Sequence, residues 1–255
     1  MLLENKPSMS SGSHFLDPAD PLLEFENSLS AQGIFFAAGI DEAGRGCCAG
    51  PVVAAAVLFT DRKQIPAGIF DSKQITEQKR EELRQRIIET PGVHYAVAEI
   101  HPDEIDRINI LRATWKAMAQ ALQQIAPPAE FALVDGNPVK GLPLPSQNVV
   151  KGDARSVSIA AASILAKTHR DHYMLKAAEE YPQYKFEIHK GYCTQLHTEL
   201  IREHGPCPLH RMTFEPVKSI LNPPDMIQGE LFCTSLADAV TGGTGGYAEG
   251  QQSGT

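Results

Sequence analysis

The sequence predicts an α/β domain built on a mixed β-sheet, and three observations carry that prediction. Two apolar segments, 34 to 40 and 52 to 59, flank a glycine-rich loop. A third short apolar run, 131 to 134, ends on an acid, and long stretches of helical periodicity lie between and after these segments.

Taken in order, segments 34 to 40 and 52 to 59 pair as a hairpin across the loop, with Pro51 acceptable as the first residue of a strand. Residues 76 to 89 are charged and periodic, which predicts a surface helix opened by a Thr76 cap, and 93 to 99 alternate like a strand. A helical stretch over 103 to 125 follows. The run 131 to 134, after Pro127 and Pro128, suits a buried central strand that delivers Asp135 at its end. The longest helical pattern covers 156 to 181, with Ile159, Ala162, Leu165 and Ala166 on its apolar stripe. Segments 194 to 204 and 214 to 221 predict a small helical C-terminal piece, and the chain contains no internal repeat.

A chain of 255 residues with 42% hydrophobic content can bury a full core as one domain. Residues 1 to 33 are rich in Ser, Pro and acids, and residues 223 to 255 are rich in glycine, so both read as disordered tails around a folded domain at 34 to 222. Val52–Phe59 is the longest purely apolar run, far short of the ~20 residues that span a bilayer. The start also lacks a signal pattern, which predicts a cytoplasmic protein with no membrane partner. No hydrophobic seam suggests a dimer, so a monomer is expected. Cys47, Cys48, Cys193, Cys207 and Cys233 include no C-x-x-C pair and indicate neither a disulfide framework nor a zinc site. The net charge of −8 lies in the tails, each contributing −4. Residues 140 to 222 hold eleven Lys and Arg against eight acids, with six of the nine histidines, compatible with a basic surface for nucleic acid.

Four acids stand in glycine-rich or apolar frames: Asp41 and Glu42 in Gly39-Ile-Asp-Glu-Ala-Gly-Arg-Gly46, Asp135 in Val134-Asp-Gly136, and Asp153 in Lys151-Gly-Asp-Ala154. Taken singly, Asp135 and Asp153 read as turn formers or caps. The adjacent pair Asp41 and Glu42 is harder to explain that way, because burying unpaired carboxylates costs several kcal/mol. Carboxylates gathered in a cleft call for a divalent cation, and oxygen ligands favour magnesium or manganese over zinc. Two such ions serve phosphodiester hydrolysis, with three or four carboxylates as scaffold. A dinucleotide-binding turn is the competing reading of the loop. Its glycines run G-x-G-x-x-x-G, one residue too long, and a strand rather than a helix follows.

Together and in order, these segments resemble the bacterial type 2 ribonucleases H over about residues 34 to 221. The motifs are GIDEAGRG with AGPVVAAAV, Asp71-Ser-Lys73, Asn109-Ile-Leu111, Val134-Asp-Gly136, Lys151-Gly-Asp153, Ile159 to Lys167 with Arg170-Asp171, His189-Lys-Gly-Tyr192 and His210-Arg211. The resemblance implies a ribonuclease H-like fold: a mixed central sheet flanked by helices, plus a small C-terminal helical extension. It also implies an endonuclease that cuts the RNA strand of RNA–DNA hybrids and nicks 5′ of single ribonucleotides in duplex DNA. By position, Asp41, Glu42, Asp135 and Asp153 would hold two manganese or magnesium ions. Gly44, Arg45 and Gly46 would read the 2′-hydroxyl through the backbone, Tyr192 would pack on the neighbouring sugar, and Lys73 and Lys190 would contact phosphates, with Ser156 and Ser163 as further contacts. Only 38 mostly polar residues precede Gly39, which argues against the type 3 relatives with their added N-terminal domain. Two residues depart from the family pattern. Cys48 stands where a larger aliphatic residue is common, and Cys193 where glycine or proline is usual.

His189, His204 and His210 show no ligand spacing and read as satisfied surface or helix-end groups. In the tail, Gln228-Gly-Glu-Leu-Phe232 resembles the short peptide by which bacterial repair proteins dock on the sliding clamp, with Gln228, Leu231 and Phe232 as anchors. Two other functions compete: a nuclease of the same fold indifferent to the 2′-hydroxyl, and a non-catalytic hybrid-binding module. The intact set of four acids disfavours the second.

Overall fold

The structure, a computed structural model, describes residues 15–223 except 70, 71, 73, 74, 126 and 127. Lys73 and the segment with Gln228, Leu231 and Phe232 therefore lie outside the described residues.

Five strands form one sheet in the order β3-β2-β1-β4-β5. Strands β1 (Ala37–Ala43), β2 (Val52–Phe59) and β3 (Val93–Ile100) are antiparallel neighbours. Strands β4 (Phe131–Asp135) and β5 (Ser146–Val149) run parallel to β1. The sheet is mixed, as the pattern of segments predicts. Every residue of β2 is buried, because helices cover both faces of the sheet. Val52, Ala54, Ala56 and Leu58 pack with helix α4 (Ile110–Gln124), while Val53, Ala55, Val57 and Phe59 pack with α2 (Glu77–Ile88) and α5 (Val157–Glu180). Helix α2 begins where predicted, with the Thr76 hydroxyl accepting from the Lys79 amide at 3.2 Å.

Helix α5 crosses β1 at very close range. A Cβ on Gly39 would stand 2.1 Å from the Ser158 carbonyl carbon, so only glycine permits this approach. At its far end α5 carries the C-terminal extension, α6 (Phe186–His189), α7 (Gln195–His204) and α8 (Val217–Leu221). Met174, Tyr184, Phe186, Leu200 and Cys207 pack there around Ala49 of the glycine loop, and Cys48 packs with Ile201 and Val217. The extension is thereby part of the wall that supports the loop.

The structure corrects three expectations and adds one strand. The N-terminal segment is not a disordered tail over its described part: α1 (Glu24–Ala31) is folded, with Leu22, Leu23, Glu26 and Leu29 buried. Strand β1 begins at Ala37, not residue 34, and runs on through Asp41 and Glu42. The stretch 103 to 125 is two helices, α3 (Pro102–Ile108) and α4, broken at Asn109. Asn109 adopts φ 69° and its side chain caps α4 by accepting from the Arg112 amide at 3.1 Å, a dual role suited to asparagine. Strand β5 has the polar sequence Ser-Gln-Asn-Val and no alternating pattern. It forms because β4 offers its open edge, bonding from Ala132 N to Pro145 O (2.9 Å) and from Gly136 N to Val149 O (3.0 Å). Among the described residues no helix is long and apolar enough to cross a membrane.

Gly39→Ala should therefore destabilise the fold by about 3 kcal/mol or more, the upper range for overpacking, because backbone rather than a movable side chain blocks the new methyl group. Urea unfolding of the variant against the parent chain measures this.

Candidate active site

The register of the two central parallel strands brings the first carboxylates together. Ile40 pairs with Val134, so the next residues along, Asp41 and Asp135, stand side by side on adjacent strands about 4.8 Å apart. Asp41 is 4% exposed. Its carboxylate accepts from the Glu42 amide at 2.7 Å and from the Ser163 hydroxyl on α5. Burial pushes the Asp41 carboxyl well above the usual carboxylate range, and the charges of Glu42 and Asp135 push it further. Asp153 joins from the turn between β5 and α5. There the Gly152 amide donates to Asp135 Oδ1 at 2.7 Å, which fixes the buried Asp153 beside the end of β4.

Every candidate ligand is a carboxylate oxygen, and burial among like charges is relieved by a bound cation; this donor set fits a hard divalent ion. Among the described residues no three side chains already stand in coordinating geometry, so the acids are gathered but do not form a finished coordination shell. Glu42 pairs with Arg45 at 3.7 Å.

Beside the acids, residues 44–51 form a loop whose carbonyls turn inward onto two fully buried guanidinium groups. Arg170 of α5 donates to the carbonyls of Pro51 (3.1 Å), Ala49 (2.9 Å) and Lys190 (2.8 Å). Arg211 donates to those of Gly44 (2.7 Å), Arg45 (3.0 Å) and Gly50 (2.9 Å). Gly44, at φ 84°, must be glycine, since its Cβ would fall 1.9 Å from Arg170 Nε. Gly46 differs. It is exposed, its φ needs no glycine, and a Cβ there would meet nothing within 4 Å. A missing side chain that the fold does not require leaves the loop's outer edge open to a close ligand.

Tyr192 projects from the neighbouring turn, 43% exposed, with Lys167 Nζ and Arg170 Cζ over its ring at 5.7 and 5.8 Å. Three buried histidines, His189, His197 and His210, hold this turn; His189 and His204 close α6 and α7 as the helix-end groups expected, whereas His210 is buried outside any helix, which corrects the expectation for that residue. The Cys207 amide donates to His210 Nδ1 (2.9 Å), which leaves His210 Nε2 to donate to His197 Nε2 (3.0 Å) and His197 Nδ1 to donate to the Tyr192 carbonyl (2.9 Å). His189 accepts from the Gly191 amide at 3.2 Å. This pattern requires neutral rings. Burial holds His197 down to about 3 and His210 to about 4, with the neighbouring histidines adding to the effect.

The remaining predicted contacts divide. Ser156 is corrected: it is fully buried, caps α5 by accepting from the Ile159 amide (3.3 Å) and donates to Glu26 Oε1 (2.6 Å), so it faces no substrate. Ser163 is spent on Asp41 and on Ser72, 2.7 Å away. Lys190 is partly exposed, with Nζ on the Glu187 carbonyl at 2.7 Å. Sequence reasoning assigned no role to Arg170, Arg211, Ser72 or Glu26. Arg170 stands among polar neighbours, Lys167 to His172, and gave no signal of its burial, whereas the apolar spacing of Leu22, Phe25 and Leu29 was the signal for the helix that carries Glu26.

A family model described as Ribonuclease HII matches residues 38–217. Among its relatives, the ribonuclease HII of Idiomarina loihiensis is 51% identical over 183 residues, 72% of this chain and 97% of that one. The ribonuclease HII of Rhizobium etli is 48% identical over 225 residues, 87% and 97% of the two chains. The crystal structure of ribonuclease H2 from Pyrococcus horikoshii superposes with a TM-score of 0.61 at 28% identity, covering 72% of this chain and 96% of that one. The ribonuclease HII of Archaeoglobus fulgidus, solved in complex with PCNA, gives 0.59 at 27% identity, covering 71% and 95%. The sheet with its flanking helices is thus a ribonuclease H-like fold.

Asp41→Asn should raise the stability of the metal-free protein at neutral pH, since asparagine is neutral without taking up the proton that burial and the neighbouring acids impose on Asp41. The sign follows from the raised pKa. The folded chain keeps a proton that the unfolded chain releases above its ordinary value of 3.8, so the parent loses stability as pH rises past that point and the variant does not. Urea unfolding in chelator at pH 4 and pH 7 should show the gap widening at the higher pH.

Proposed function

The chain belongs to the ribonuclease HII family and is a ribonuclease H, and we propose that it hydrolyses the RNA strand of RNA–DNA hybrids and nicks duplex DNA 5′ of a single embedded ribonucleotide. The observation that carries this reading is the adjacency of the Asp41, Asp135 and Asp153 cluster to an exposed rim made of Arg45, Gly46 and Tyr192.

Asp41, Glu42, Asp135 and Asp153 would hold divalent cations, manganese or magnesium, two during turnover. These would activate the attacking water and offset charge on the leaving 3′-oxygen. The chain's own residues do the rest. Ser163, backed by Ser72, holds the Asp41 carboxylate in one orientation, and the Gly152 amide does the same for Asp135. Arg170 and Arg211 pin the loop carbonyls inward, which presents its open edge at Gly46 to a 2′-hydroxyl, the group that distinguishes RNA from DNA. Tyr192, fixed through its carbonyl by His197, offers a ring face to the sugar beside the junction. Lys190 and Lys73 serve as phosphate contacts in this reading. It also includes docking of the tail segment with Gln228, Leu231 and Phe232 on a replication sliding clamp; the related Archaeoglobus fulgidus complex with PCNA supports that part.

The test is cleavage of a labelled duplex carrying one ribonucleotide, beside the all-DNA duplex, with magnesium, with manganese and with chelator. A metal-dependent nick 5′ of the ribonucleotide alone is expected. Cleavage of plain DNA would overturn the 2′-hydroxyl reading, and cleavage in chelator would overturn the metal site. Asp41→Asn should cut turnover by about 10²–10³-fold or more while still binding the duplex. Tyr192→Ala should lower selectivity for the ribonucleotide by roughly tenfold, read as the ratio of kcat/KM values on the single-ribonucleotide duplex and on a long hybrid.

A further inference from the structure

Cys48 and Cys193, distant in sequence, meet in the fold. The Cys48 amide donates to the Gly191 carbonyl at 3.1 Å, and the Cys48 thiol points to the same oxygen at 3.7 Å. Cys193, two residues further on, has its thiol 4.0 Å from the Gly46 carbonyl and 3.6 Å from the Glu215 carbonyl. The two thiols thus lie across facing segments, Cys48 against Gly191 and Cys193 against Gly46, and each is the leading influence on the other's ionisation. One is buried and the other is exposed, so the pair has a protected member and an accessible one. Between them runs the turn that carries Tyr192.

We propose that Cys48 and Cys193 form a reversible disulfide that fastens the Tyr192 turn to the glycine loop, and that closing it lowers cleavage. The second half rests on the functional reading above.

The environments assign different roles to the two sulfurs. The Cys48 thiol holds Cys193 below the usual thiol range, helped by the Cys48 amide and the charge of Arg211 and opposed by burial. The Cys193 thiol, together with burial, pushes Cys48 up. Cys193 is therefore the attacking thiolate and Cys48 the resolving thiol. With a small disulfide such as oxidised glutathione as oxidant, the Cys193 sulfur attacks one of its sulfurs and expels the first glutathione thiolate. The Cys48 sulfur then attacks Cys193 Sγ in the mixed disulfide, losing its proton, and expels the second. The protein loses two hydrogens and the oxidant leaves as two thiols. An S–S bond of about 2.05 Å is much shorter than a thiol hydrogen bond, so closure draws Cys193 inward. Tyr192 is bonded to it and moves away from the position that His197 otherwise fixes.

The full-length chain is treated with oxidised glutathione and mapped by peptide mass spectrometry, with cleavage of the single-ribonucleotide duplex measured in parallel. A Cys48–Cys193 link, a severalfold drop in kcat/KM and full recovery in dithiothreitol are expected. Cys193→Ser, at an exposed position, should abolish both the link and the sensitivity while cleaving as the reduced parent does. Glutathione left on Cys193 without closure, or a link from Cys193 to Cys47 or Cys233 instead, would overturn the pairing. A link without any change in cleavage would overturn the switch. Mapping reads the link whether or not the duplex is cut, so an inactive reduced protein would count against the functional reading alone.

Discussion

Two buried guanidinium groups and the six carbonyl oxygens they hold set the form of this site. Burying Arg170 and Arg211 removes two cations from water, at a cost of several kcal/mol each unless their donors are satisfied. Carbonyls of the glycine loop and of Lys190 supply the acceptors. The loop takes its shape from that demand: it needs Gly44 because Arg170 occupies the space of a side chain, and its free edge is what the arginines leave over. Arg170 comes from the helix that also carries Ser163, and Arg211 from the C-terminal extension, so helix, extension and loop form one unit around the carboxylates.

The carboxylates pull the other way. The core of the domain is held by ordinary burial of Val, Ile, Leu and Ala on both faces of the sheet, but at the ends of β1 and β4 the chain accumulates charge of one sign. Nothing in packing accounts for that. The repulsion is tolerated because the surrounding sheet is over-determined, and a divalent cation bound there would relieve it, the usual relation between local strain and function.

Much of this was legible in the sequence, for identifiable reasons. Strand β2 announced itself by eight apolar residues, α2 by Thr76 and its periodic charges, and the acids by standing where apolar segments end. Elements whose cause lies elsewhere in the chain were not legible. Strand β5 is polar and forms only because β4 leaves an edge, and Asn109 breaks a helical pattern through a backbone conformation that periodicity does not report. Of the predicted substrate contacts, Ser156 failed because a helix cap and a distant glutamate claim its hydroxyl. The buried histidines were missed because His189, His197 and His210 are brought together only by the tertiary fold.

That glutamate has a consequence for where the domain begins. Glu26 accepts from the Ser156 hydroxyl at 2.6 Å and from the Ser158 amide at 3.1 Å, so a residue of α1 completes the first turn of α5, immediately after Asp153. Its second oxygen is buried with no hydrogen-bond partner among the described residues, and burial raises its carboxyl above the ordinary range. The family match opens at residue 38, beyond this helix. An expression clone trimmed to that boundary would keep all four candidate metal ligands yet uncover Leu133, Val149 and Ile159, against which Leu29 packs, and leave the Ser158 amide uncapped, so the piece expected to fold on its own is longer than the piece that sequence similarity delimits.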